Sequence, residues 1–414
     1  MVNDKTNLTI LSISPISLWS KDLREDGAGS QAIPLTQEGF AKAGHNAVIL
    51  IVRGTNFRVK GEPKKCFYRG FLIYRVYIPR ILSLILEKKY LNYISLKFYY
   101  LWYYIFSFFY GLKIAREIKP DIIIGYTNYS AIPSFLISKI MRIPYVYREN
   151  GTWSLYDDIQ TFWGRIKRFD AILAFKLPCA AMILTDDGTR SNLVAKFFRV
   201  PSHKIYFWKN GISKKDFCGL NRTYARRKLN LSSTCKIIVS VGRLSRGKRF
   251  DVIIKALAEL KQTKDYMCII IGDGPEMLNL RRLIDFNNLK KHVLLTGALT
   301  HSSVWDYLVA SDLVIALGSI NPLLEGMCVG RCVITLNLGS TYQMTNEGKS
   351  AVVIEEEDLD NLAYYIDNLL NDDIRRENIE RSALKWISEN FETWEDRIKK
   401  EVHLIEDIVR KHSY

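Results

Sequence analysis

Arg243 and Lys248 are the residues whose type and spacing most directly imply chemistry. They stand in the run Ser240-Val241-Gly242-Arg243-Leu244-Ser245-Arg246-Gly247-Lys248, between an apolar stretch and a helical pattern. Two cations on a glycine-bearing loop are a means of holding a diphosphate, because glycine admits the backbone close to oxygen while the cations neutralise its charge. Residues 237–241 are β-branched and almost uninterrupted, as in a buried parallel strand. Phe250, Ile253, Ile254, Leu257 and Leu260 repeat at helical spacing behind them. The cations therefore fall at a strand's carboxyl end, where open α/β sheets bind ligands.

Two further loops have the same grammar. Ile271-Gly272-Asp273-Gly274-Pro275 follows a strand pattern and precedes a helix, so Gly272 and Gly274 let backbone approach a flat ligand such as a nucleobase. Gly339-Ser340-Thr341 also follows a strand and opens a helix, which offers amides to a phosphate or merely caps the helix.

The elements that must position these loops alternate strand and helix along the whole chain. In the first half, strands are expected at 8–14, 47–52, 71–78, 121–126, 145–147, 181–185 and 205–208. Helices are expected at 31–43, through the aromatic run after residue 97, from 131, and up to 176. The second half repeats the pattern with strands at 237–241, 267–271, 293–296, 313–316, 332–336 and 351–354. Strand, helix, strand throughout means α/β, with two Rossmann-like doubly wound domains. The chain is 414 residues long, too long for one ordinary core. The expected division is 1–209, 210–392 and a terminal amphipathic helix over 393–414. Residues 209–235 turn polar and irregular, with Asn210-Gly211 as a turn, and are expected to form the hinge.

Hydrophobic content of 48% with 25% charge is that of a globular protein and excludes a disordered chain. Residues 1–212 hold 30 Lys and Arg against 15 Asp and Glu, and residues 213–414 hold 29 against 28, so the first half carries nearly all of the +16 net charge. An anionic partner for that half follows. Fifteen uncharged residues between Lys97 and Lys113 include Phe98, Tyr99, Tyr100, Trp102, Tyr103, Tyr104, Phe106, Phe108, Phe109 and Tyr110. The run falls short of the about 20 apolar residues of a spanning helix, and its phenols prefer an interface. With Lys88, Lys89, Lys97 and Lys113 it reads as a membrane-docking helix near 88–113, as a helix buried against its own sheet, or as both, one face each. Nucleic acid would account for the charge but not for the phosphate loop, and is not expected as a partner. Seven scattered cysteines without a CxxC pair, and no signal peptide, point to the cytoplasm. Cys328 and Cys332 are four apart in an apolar stretch without His, so packing is expected there and no metal site.

Taken together the loops resemble those of the family-4 GT-B glycosyltransferases, retaining enzymes that transfer a sugar from a nucleotide-sugar donor. The resemblance covers nearly the whole chain and is most specific over 237–354. It implies two Rossmann-like domains facing a cleft, with the terminal helix crossing back to the first. It also implies Arg243 and Lys248 on the diphosphate and Glu325, in Glu325-Gly326-Met327-Cys328-Val329-Gly330-Arg331, on the ribose. Gly27 and Gly29, in Gly27-Ala28-Gly29-Ser30, are like the glycine-rich loop over the donor phosphates.

The chain departs from the family in two places. Eight residues before Glu325, where most members carry another Glu, stands Leu317; Asn321 or backbone amides are candidates for the sugar hydroxyls instead. Many members present a His after the strand at 145–147, where this chain reads Tyr147-Arg148-Glu149-Asn150. Asn150 occupies about that place, Glu149 is a candidate base for the acceptor hydroxyl, and Arg148 either binds an acceptor phosphate or makes a structural salt bridge. His45 is expected to be structural.

The reading is of a metal-independent hexosyltransferase with no cofactor, UDP or GDP carrying the donor sugar. Its acceptor would be a glycan or lipid-linked saccharide in cell-surface polysaccharide synthesis, and its place the anionic inner face of the cell membrane. The alternatives are a nucleotide-binding scaffold without turnover, and a GT-B epimerase.

Overall fold

The computed structural model describes residues 7–16, 32–55, 61–79, 92–152, 154–212, 221–260, 265–318, 320–339 and 341–412, with the side chains of 92–96 excepted. These divide into two compact units. Described residues up to Gly211 and from Trp394 onward form the first, and Ile212–Thr393 the second.

The first unit is built on β1 (Thr9–Ser14), β2 (Asn46–Gly54), β3 (Lys65–Tyr68), β4 (Phe71–Ile78), β5 (Ile122–Tyr126), β6 (Tyr145–Glu149), β7 (Ala181–Asp186) and β8 (Ile205–Lys209), in the order β3-β4-β2-β1-β5-β6-β7-β8. All pairs are parallel except β3 with β4. The central β1 sets Ile10 between Ala47 and Ile122. Successive side chains leave a strand on opposite faces, and both faces here are covered. Ile10 packs with Ile33 and Phe40 of helix Ala32–Lys42 and with Val402 and Ile405 of the terminal helix Trp394–His412. Leu11 and Ile13 face Tyr103, Ile114 and Ala115 of helix Asn92–Ile118.

The terminal helix therefore does return to the first unit. A Cβ on Gly39 would come within 2.1 Å of Ile398, so the two helices pack without room for a side chain. The His45 ring joins β1 to the same helix, Nδ1 accepting from the Leu8 amide and Nε2 lying 3.1 Å from Glu406; its role is structural, as expected.

The second unit carries β9 (Lys236–Val241), β10 (Tyr266–Ile271), β11 (Val293–Gly297), β12 (Leu313–Ala316), β13 (Cys332–Leu336) and β14 (Val352–Ile354), all parallel, in the order β11-β10-β9-β12-β13-β14. The strand order reverses between β9 and β12, which makes their carboxyl ends the crevice where such sheets take ligands. Helix Phe250–Leu260 buries Phe250, Ile253, Ile254 and Leu257 on one face of this sheet. Helix Ile320–Cys328 lies on the other, with Gly326 so close that a Cβ would meet Val333 at 2.8 Å.

Two features differ from the sequence reading. The polar segment 209–235 is not irregular throughout: helix Arg222–Lys228 forms within it and buries Arg226, whose Nη2 donates to Asp312 at 2.5 Å and whose Nε donates to the Ala310 carbonyl. A charge cluster that reads as linker is held by a carboxylate 86 residues away. Strand β3 was not expected. It closes a hairpin onto β4 through Arg69-Gly70, both at positive φ, the backbone that a two-residue turn between twisted strands needs.

The aromatic run, expected on a membrane, in the core or both, has one buried and one exposed face. Tyr103 is buried with its hydroxyl 2.7 Å from Ser130, and Tyr100 donates to Tyr129, while Phe98, Leu101, Phe109 and Tyr110 are exposed. Lys88 and Lys89 lie outside the described residues. Among the described residues no helix is long and apolar enough to cross a membrane.

Candidate functional site

The site grows from three loops at the carboxyl ends of β9, β10 and β12. Gly242 opens the first at φ 156°, and its amide donates to the Ile271 carbonyl. The amide of Leu244 donates to Asp273, and that of Glu276 to Leu244, which ties the first loop to Gly272-Asp273-Gly274. A Cβ on Gly272 would stand 1.9 Å from the Gly242 carbonyl oxygen, and one on Gly274 2.3 Å from that of Leu244. These glycines are thus required by backbone meeting backbone, a more immediate reason than room for a base.

The third loop joins the same way. A Cβ on Gly318 would lie 2.2 Å from the Gly247 carbonyl oxygen, and the Lys248 ammonium donates to the Gly318 carbonyl at 2.6 Å. Lys248 therefore spans the switch point, from the loop after β9 to the loop after β12. Ser240 reinforces the pairing beneath it, its hydroxyl donating to Ile315 at 2.6 Å. Arg243 stands exposed on the same loop and makes no hydrogen bond or ion pair with another described side chain. It is the cation left over for an incoming anion.

Glu325 sits in the helix after β12. Only part of its surface is exposed, and burial pushes its carboxyl up to about 7. Among the described residues no donor or cation partners it, although an ionised carboxylate in apolar surroundings needs one. Cys328, one turn on, is raised to about 12 by burial first and by that carboxylate second. Leu317 is buried in the apolar core, so the place of the family's other Glu offers no carboxylate. Asn321 is exposed in the first turn of the Glu325 helix.

The Gly339 loop is closed on itself. The Gly339 amide donates to Asn337 Oδ1, and the Thr341 hydroxyl accepts from Leu338 while donating to Leu336. These are the bonds of a helix cap, one of the two readings for this segment. Ser340, Gly27 and Gly29 lie outside the described residues.

The first unit's candidates cluster at the ends of β6 and β7 and are largely satisfied by one another. Arg148 is buried and donates to Glu401 at 2.9 Å, to Asn150 at 3.0 Å and to Thr185 at 3.3 Å. It makes the structural bridge of the two alternatives. Glu149 is only 4% exposed; its oxygens accept the Tyr147 hydroxyl and the Asn150 amide. Burial still raises it to about 7. Its hydrogen bonds tie it to the end of the strand. Among the described residues the buried Nδ2 of Asn150 has no hydrogen-bond partner.

Asp187 was missed, although two carboxylates followed by glycine at the end of a strand pattern are a readable signal. It accepts from the Thr189 amide and hydroxyl, and burial raises it to about 6. Gly151 passes so close that a Cβ would lie 2.5 Å from its carboxylate. Among the described residues no group of three or more His, Cys, Asp or Glu side chains is placed to hold a metal ion.

With this geometry in view, the comparisons with known proteins are specific. Residues 221–386 match the family described as Glycosyl transferases group 1. Over 266 residues, 61% of this chain and 68% of the relative, the sequence is 24% identical to alpha-D-kanosaminyltransferase of Streptomyces kanamyceticus. The fold matches sucrose-phosphate synthase of Thermosynechococcus elongatus with a TM-score of 0.72 at 16% identity, covering 97% of this chain and 99% of that one. It also matches Anabaena HepE, solved with UDP and glucose, with a TM-score of 0.67 at 14% identity over 96% and 99%. The fold is that of the GT-B glycosyltransferases, and the residues that match the group 1 family lie within the second unit.

Proposed function

We propose that the chain transfers a hexose from a UDP- or GDP-sugar, with retention, to a glycan or lipid-linked saccharide at the inner face of the cell membrane, in cell-surface polysaccharide synthesis. The second unit would hold the nucleotide. As the bond from the sugar's C1 to the diphosphate oxygen breaks, that oxygen keeps the electron pair, and Arg243 and Lys248 face the charge that develops. The acceptor hydroxyl bonds to C1, and its proton passes to the leaving diphosphate. No protein base is then required, which suits a Glu149 enclosed by Tyr147 and Asn150. The free amide of Asn150 is the group we assign to the sugar or acceptor, and no metal or cofactor is assigned.

The observation that carries the reading is Glu325: a desolvated carboxylate without a partner, in the unit that matches the family. Two ribose hydroxyls would supply the donors it lacks. The excess of cations in residues 1–212 and the half-exposed aromatic helix support an acceptor at an anionic surface.

Thermal unfolding with UDP, GDP, ADP, dTDP and CMP in turn tests the pocket, since a ligand of the folded state raises the melting temperature. One nucleotide is expected to stabilise the protein, and Arg243→Ala to abolish the shift. Stabilisation by none would overturn the reading. Nucleotide binding without sugar transfer or epimerisation would favour a scaffold, as the buried Leu317 permits.

A further inference from the structure

The segment after β6 carries an apolar stripe that points the wrong way for a core. Helices Phe162–Lys167 and Phe169–Lys176 run in succession through Arg168. Phe162, Trp163, Ile166, Phe169 and Leu173 follow helical spacing along them, and all are exposed, Trp163 at 76% and Phe162 at 70%. The opposite side is already served, with Ala171, Ala174 and Phe175 packed in the first unit's core beside Ile159. The outward stripe is therefore additional to what folding needs.

The segment is also firmly held. The Thr161 hydroxyl caps the first helix by accepting from the Gly164 amide. Arg165 donates to the Ile159 carbonyl at 2.7 Å, and Arg168 to Asp158 at 2.7 Å. A Cβ on Gly164 would lie 1.8 Å from the Asp158 carbonyl oxygen, so the turn closes tightly.

A second helix adjoins it. The Lys97 ammonium lies 2.6 Å from Asp170 and 5.3 Å from the centre of the Phe169 ring, next to the exposed Phe98 and Leu101 of Asn92–Ile118. Cations alternate with the apolar residues in Phe162-Trp163-Gly164-Arg165-Ile166-Lys167-Arg168-Phe169, and the single acid of 162–176, Asp170, is matched by Lys97.

We infer that this face, Phe162 to Leu173 with Phe98 and Leu101 beside it, is an insertion surface for an anionic lipid bilayer. Aromatic rings settle at the headgroup boundary, and long basic side chains reach phosphate from the same depth. Lys97, Arg165, Lys167, Arg168 and Lys176 outnumber Asp158 and Asp170 here, so the face stays net positive after its ion pairs are counted, which complements an anionic bilayer better than an apolar protein partner. The inference rests on the membrane-side reading above but moves the docking element from the aromatic run to the segment after β6.

The test is flotation of the full chain with phosphatidylcholine vesicles, with and without phosphatidylglycerol. Wild type should float with the anionic vesicles, less so in high salt. The triple variant Phe162→Ser, Trp163→Ser, Phe169→Ser should lose about tenfold or more of that binding, and Arg165→Glu with Lys167→Glu should lose a similar amount. Phe67→Ser, an equally exposed ring on β3, should change nothing, and the nucleotide melting shift should persist in all variants as the sign that they fold. If the triple variant floats like wild type, the surface is overturned while the membrane reading stands. Wild type that does not float overturns both. A wild-type dimer that the triple variant dissociates, or an equal loss from Phe67→Ser, also overturns the assignment.

Discussion

The two sheets end differently at their carboxyl edges. In the second unit, glycines let three loops meet backbone to backbone, and among the described residues no anion pairs with Arg243 and no donor with Glu325. In the first unit the charged groups are as numerous but close on one another, Arg148 with Glu401 and Asn150, Glu149 with Tyr147, Asp187 with Thr189. Both edges hold a carboxyl raised to about 7 by burial. The raised value alone therefore does not distinguish the two edges, whereas the hydrogen bonding does.

The sharpest way to break this contrast is to remove one side of the self-satisfied cluster. Arg148→Met should destabilise the protein by about 3 kcal/mol or more, because Glu401 loses one of its two buried cations. Chemical denaturation measures this, and a change below about 1 kcal/mol would mean that the network is not structural.

Lys248→Ala should act in the opposite sense, lowering kcat about 10²–10³-fold, as loss of one charge-stabilising donor does, with a smaller effect on melting. If kcat survives, the switch-point cation does not face the leaving group.

Glu325→Gln should separate binding from stability. The folded carboxyl titrates at about 7 against 4.5 for the ordinary group, so between those values the folded state holds the extra proton and stability falls as pH rises. Above pH 7 the penalty is complete, at most about 3 kcal/mol; below 4.5 it vanishes. The variant should therefore be more stable than wild type at pH 8, equal to it near pH 4, and bind nucleotide about tenfold more weakly for want of a charged acceptor. Equal stability at pH 8 would show that the carboxylate has a partner after all.

Asn150→Ala should give the smallest effect, about tenfold in kcat with little change in nucleotide affinity, as expected for one neutral hydrogen bond. An effect on nucleotide binding as large as that of Glu325→Gln would erase the difference between the two edges.

Much of the fold was legible. Strands at 71–78, 313–316 and 332–336 read to the residue, because an uninterrupted β-branched run between turn residues has few other fates. Helix Arg222–Lys228 did not, since its polar sequence gains order from distant partners, Asp312, Glu380 and Asp306. The loops of the candidate site were legible as loops, but the sense of their glycines was not. Gly339-Ser340-Thr341 has the composition of an anion cradle, and only the fold shows the bonds of Gly339 to Asn337 and of Thr341 to Leu336 and Leu338.

By itself the sequence determined two parallel α/β units, the phosphate-type loop with Arg243 and Lys248, and the concentration of positive charge in one half, because periodicity and charge are properties of the chain. The tertiary structure decided which of its charged groups are already answered. Arg148 and Glu401 are 253 positions apart and Lys248 and Gly318 are 70 apart, and hydrogen-bond satisfaction is a property of contacts, which chain order does not specify.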